Sequence, residues 1–188
     1  IKFKFDIKEI NLFLLTTDSI IKFKEIDIPA KRIKVYLNFT TLFGSEKIVE
    51  KVSLSFEDIN VEKLKEISFL IPPSNFKNFI NNNIIHGELN SEIEFYLDGK
   101  NSLDNFIAKG SVKNFKTKII DEVNFENAKF SFFADRTDIL IKNIFGNVDK
   151  VRISDGDLKI KFSPSLKIES NFLSNLKIDN TSYKKYSK

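Results

Sequence analysis

Cysteine, methionine and tryptophan are absent from these 188 residues, which hold one histidine, four prolines and six glycines. Without cysteine there is no disulfide, thiolate metal ligand or cysteine nucleophile, although this leaves the compartment open. His86 alone would have to serve any Ser-His-Asp arrangement, and it falls on an expected turn before Gly87. So few glycines leave no Gly-rich loop to cradle a phosphate. No apolar run approaches the roughly 18 residues a membrane helix needs, and no signal-peptide pattern is visible. The lack of any methionine, even at position 1, leads us to expect a segment of a longer chain, with any anchor or export signal outside it.

What is present is apolar and charged in alternation. Phenylalanine occurs 20 times, hydrophobic residues make up 41% and charged residues 30%, which excludes a disordered chain. The richness in Lys, Ile, Asn and Phe is the codon signature of an AT-rich genome, so Lys and Asn runs carry no functional weight. Ile1-Lys-Phe-Lys-Phe-Asp-Ile-Lys8 opens the alternation, and Gly156-Asp-Leu-Lys-Ile-Lys-Phe162 still repeats it. Successive strand side chains point to opposite faces, so this pattern builds sheet with one oily and one wet face. The formal charge of +4 is small beside 30 basic and 26 acidic groups, and their signs interleave. Alternation puts Phe3 and Phe5 opposite Lys2 and Lys4, so rings and cations do not share a face, as a nucleic-acid platform requires. No nucleic-acid partner is expected.

The chain divides into four parts. Residues 1–60 read as a β meander, with turns at Thr17-Asp18-Ser19 and Phe43-Gly44-Ser45. Within it, Lys24-Glu25 reads as a bulge, and Pro29 as the end of a strand. Residues 61–83 break the period: Val61, Leu64, Ile67 and Leu70 recur every third position, predicting a short helix stopped by Pro72-Pro73. Ser74 is placed to cap a second helix carrying Phe76, Phe79 and Ile80. Residues 84–173 return to strands, with turns at Asp98-Gly99, Phe145-Gly146-Asn147 and Asp155-Gly156, and 174–188 form a basic tail. Short connections make neighbours antiparallel. About a dozen strands are expected, in a mainly β, antiparallel sheet, strongly twisted and curved into a gutter, with the helical pair plugging or crossing one end.

Motifs for chemistry are weak. Asp135-Arg-Thr-Asp138 and Asp155-Gly-Asp157 lack the oxygen ligands of a calcium loop and read as hairpin turns. A glycosidase carboxylate pair cannot be singled out among so many acids. Asn38-Phe-Thr40 and Asn180-Thr-Ser182 fit the glycosylation pattern, which recurs by chance. The expectation is a non-enzyme with no catalytic residue, no metal and no cofactor.

The residues most tied to function are the in-phase apolar ones: Phe3, Phe5, Val35, Leu37, Phe39, Leu54, Phe56, Ile93, Phe95, Leu97, Phe130, Phe132, Ile139, Ile141, Leu158, Ile160 and Phe162. The residues alone leave open what covers them. A second sheet would make a sandwich serving adhesion or scaffolding; phospholipid acyl chains would make a carrier.

Over 72–162 the order is Pro72-Pro73, a short helix, Gly87-Glu-Leu89, a strand to Asp98-Gly99, Phe106 with Gly110-Ser-Val112, Phe130-Ser-Phe132, Ile139-Leu-Ile141, Ile144-Phe-Gly146 and Ile153-Ser-Asp-Gly156-Asp-Leu158. This cadence resembles the AsmA-like (YhdP and TamB) family of bacterial envelope proteins. The resemblance implies a long curved sheet in the periplasm, anchored to the inner membrane by a helix missing from this stretch. It also implies a groove that conducts phospholipid toward the outer membrane, with no catalytic residues.

Overall fold

The computed structural model describes residues 1–6, 11–37, 49–70, 73, 75–98, 102–120, 123–162 and 165–176. Ten strands run in chain order: β1 (Lys2–Asp6), β2 (Asn11–Phe23), β3 (Ile26–Leu37), β4 (Val49–Asn60), β5 (Ile84–Leu97), β6 (Leu103–Ile120), β7 (Val123–Ala134), β8 (Asp138–Val148), β9 (Val151–Lys161) and β10 (Lys167–Leu176). Helices α1 (Val61–Ser68) and α2 (Asn75–Asn82) lie between β4 and β5. Each strand pairs antiparallel with its successor, giving one sheet in the order β1 to β10 that does not close into a barrel. At about 4.8 Å per strand the sheet is roughly 43 Å across. No helix among the described residues is long and apolar enough to cross a membrane.

The mainly β, antiparallel architecture with a short helical pair is therefore as expected, with ten strands in place of a dozen. Several local expectations are corrected. Thr17-Asp18-Ser19 lies inside β2, and Lys24-Glu25 is the β2–β3 turn, with Lys24 at φ 55°. Pro29 sits within β3, paired with Ile20. Gly146 and Gly156 lie inside β8 and β9, and the turn between those strands is Asp149-Lys150. His86 lies in β5 opposite Lys116, and β10 runs to Leu176, into the segment expected as tail. Gly44, Ser74, Gly99 and the two glycosylation-like asparagines lie outside the described residues.

Asp135 makes its turn as expected. Its Oδ1 accepts from Thr137 N (2.7 Å), Thr137 Oγ1 (2.8 Å) and Asp138 N (2.9 Å), closing the β7–β8 hairpin. Those bonds, the one from the Asp138 backbone foremost, hold its carboxyl below the usual range. Asn60 caps α1, its Oδ1 accepting from Lys63 N at 2.9 Å. The Ser68 hydroxyl, 3.1 Å from Asn81 Oδ1, ties the two helices together.

A buried apolar cluster lies where the helices meet the sheet, while Phe13, Ala30, Tyr36 and Leu37 are buried apart from it in β2 and β3. Val61 of α1 and Ile80 of α2 pack with Ile84, Phe115 and Ala128, flanked by Leu64, Val112, Phe125 and Phe130. Phe115 meets Phe130 edge-on with ring centres 5.3 Å apart. Phe79, expected on the packing face of α2, is exposed instead.

Candidate functional site: an open apolar face

Cross-strand partners share a face, so the register assigns every in-phase residue to a side. One row runs Leu14, Val35, Val52, Phe95, Phe106. The next runs Ile33, Leu54, Ile93, Ala108, Ala134, Ile139, Ile160, Ile168, unbroken from β3 to β10. A third takes Phe56, Ser91, Gly110, Phe132, Ile141, Leu158 and Ser170. A fourth, toward the helices, takes Ile59, Leu89, Val112 and Phe130.

The expected lining residues thus fall together. Val35, Leu54, Phe56, Ile93, Phe95, Leu97, Phe130, Phe132, Ile139, Ile141, Leu158 and Ile160 are half-buried on this one face. Leu37 is fully buried, and Phe162 is exposed just past the end of β9. Phe3 and Phe5 pair in register with Leu14 and Leu12, while Phe39 lies outside the described residues.

Alternation alone misses another group. Asp58, Asn114, Asn127 and Asn143 each take a left-handed backbone, φ 50° to 54°, inside β4, β6, β7 and β8. Each breaks the ladder, and the residue that follows drops into the apolar face: Ile59, Phe115, Ala128 and Ile144, all buried. Asn and Asp tolerate this conformation better than other side chains. An Asn or Asp directly before an apolar residue, at a parity break, is the signal that would have found them.

Opposite this face the side chains are mostly polar and largely satisfy one another. Lys51 Nζ lies 3.4 Å from Glu94 Oε1 and 4.3 Å from the Tyr36 ring centre, and Tyr96 donates its hydroxyl to Glu94 Oε2 at 2.6 Å. Burial pushes the Glu94 carboxyl up, but Tyr96 and Lys51 together bring it below its ordinary value. A shallow concavity on that side, about 710 Å³, is lined by Ser55, Glu57, Asn90, Glu92, Lys109 and Ser111 among others. Its mixture of charges presents no single chemistry. Among the described residues, no group of three or more His, Cys, Asp or Glu is placed to hold a metal.

The row from Ile33 to Ile168 offers continuous hydrocarbon contact from β3 to β10, and the neighbouring row is interrupted by Ser91 and Ser170. No family model, curated protein or solved structure matches the chain.

Proposed function

We propose that the chain is a non-enzymatic lipid-binding and lipid-conducting segment whose apolar face takes phospholipid acyl chains. The observation that carries this reading is the exposure of that face. In a closed sandwich the centre of the sheet, at Leu54, Ile93, Phe132 and Ile141, would be sealed; here these residues are only half-buried. An acyl chain laid along the row from Ile33 to Ile168 meets apolar side chains at every strand. Each buried methylene contributes about 0.8 kcal/mol, so affinity needs no headgroup contact. Successive positions along the row are chemically alike, which permits sliding. The line of bulges supports a curved, gutter-like face, because a bulge bends its strand and adds twist.

With the AsmA-like cadence, this reading puts the protein in the bacterial periplasm. An anchor outside these residues would hold it to the inner membrane, and its role would be phospholipid transport and outer-membrane homeostasis. Native mass spectrometry of the chain purified from a bacterial host tests the binding step. The expected result is a series of adducts at phospholipid masses. A bare chain that also takes up no lipid from phosphatidylethanolamine vesicles would overturn the proposal.

A further inference from the structure

The apolar row from Ile33 to Ile168 passes through Ala134 and Ile139, the last residues paired between β7 and β8. The hairpin turn beyond them therefore stands at the margin of the face, at the strand ends away from α1 and α2. β7 stops at Ala134, opposite Ala108, whereas β6 starts earlier, at Leu103, and so projects past it. Arg136 bridges that step: its Nη1 donates to the Asp104 carbonyl oxygen. Alternation from Phe106, which pairs with Phe95, carries the Asp104 side chain onto the apolar side. A guanidinium and a carboxylate thus meet where the hydrocarbon surface ends.

Other acids at this margin are already engaged. Asp135 holds its own turn through Thr137 and Asp138, Asp138 lies 3.4 Å from Lys159, and Asp98 Oδ1 accepts from Ser102 N at 2.9 Å. Arg136 and Asp104 are both exposed, and neither side chain joins an ion pair among the described residues. The turn fixes the cation beside a carboxylate that it does not neutralise. Such a pair fits an amphiphile whose polar end carries both charges.

We infer that Arg136 and Asp104 select the headgroup of a phospholipid lying on the row, the guanidinium taking the phosphate and the carboxylate a primary ammonium. A guanidinium fork matches phosphate oxygens in charge and geometry. Phosphatidylethanolamine supplies both charges. Phosphatidylglycerol supplies the phosphate alone and leaves Asp104 facing an anion, while a choline headgroup has no N–H to donate to the carboxylate. The acyl chains provide the affinity, and the headgroup contact adds a choice among lipids at one station along the row. This inference rests on the lipid-binding reading of the face.

The test offers the chain vesicles of equal phosphatidylethanolamine and phosphatidylglycerol with identical acyl chains, and compares the two adducts by native mass spectrometry. Phosphatidylethanolamine adducts should exceed the others by about two- to fivefold, the scale of one exposed ion pair. Asp104→Asn should level the two, Asp104→Lys should reverse them, and Arg136→Gln should lower both. Melting should stay unchanged in all three, because both side chains are exposed. Equal adducts on the unaltered chain, a preference that survives Asp104→Lys, or adducts unmoved by Arg136→Gln would each overturn this inference and leave lipid binding standing. Uptake of neither lipid would overturn both.

Discussion

Gly110, Gly146 and Gly156 each lie beside a phenylalanine ring, and none of the described glycines has positive φ, so they serve by making room and not by turning the chain. A Cβ on Gly110 would stand 2.2 Å from the Asn90 backbone carbonyl oxygen and 2.9 Å from the Phe132 ring. On Gly156 it would meet chiefly the Phe172 ring, at 2.4 Å. That ring belongs to an edge strand and can swing away, whereas a backbone oxygen within the ladder cannot. Gly110→Ala should therefore cost about 1–3 kcal/mol and Gly156→Ala distinctly less, read as urea midpoints. Asp135 supplies a pH dependence. Its folded pKa is depressed, so its contribution is present above the unfolded value of about 3.9 and is lost as pH falls through the folded value. Asp135→Ala should be less stable than the unaltered chain at pH 7, and the gap between their denaturation midpoints should narrow in acid.

At the scale of elements, the bulges decide where the period-2 pattern reverses. Asn127, exposed and at φ 50°, turns Ala128 under the helices, where it is completely buried. A left-handed backbone costs a β-branched residue about 1–2 kcal/mol and costs glycine nothing. Asn127→Gly should be close to neutral, and Asn127→Val should lose about that amount in thermal or urea unfolding. The helical pair was legible, because a spacing of three replaces a spacing of two from Val61 to Leu70 and Pro72-Pro73 ends it; its cap, Asn60, was not read. The bulges were not. An αL residue inside a strand and a residue in a hairpin turn carry the same Asn, Asp or Gly chemistry, and only the ladder partners distinguish them. For this reason Thr17-Asp18-Ser19, with Asp18 at φ 48°, reads as a turn yet lies in a strand, while Lys24-Glu25 read as a bulge and is the turn.

For the molecule as a whole, burial seals the apolar face under α1 and α2 and leaves its centre half-buried. A charge tests that division. Ile80→Asp places a carboxylate where the side chain is 2% exposed, with no partner, and should cost roughly 3–5 kcal/mol. Ile141→Asp lies on the open part, where the carboxylate stays hydrated, and should cost far less stability while lowering phospholipid retention. Melting temperature and lipid adducts in native mass spectrometry, measured on both variants, should move in opposite order.

Alternation by itself determined that the chain forms antiparallel sheet, and which face of each regular stretch is apolar, because side-chain direction in a strand follows position alone. From Val35 and Leu54 to Leu158 and Ile160, that reading assembled residues that the ladder brings onto one surface. Only the tertiary structure decided how much of that surface is covered. Covering depends on which elements fold over it, and the same Phe, Ile and Leu pattern serves a sealed core and an open face equally. The helical pair reaches one end, over Phe115 and Ala128, and leaves the row from Ile33 to Ile168 half open to solvent. That difference arises from contacts between residues distant in sequence, which periodicity does not encode.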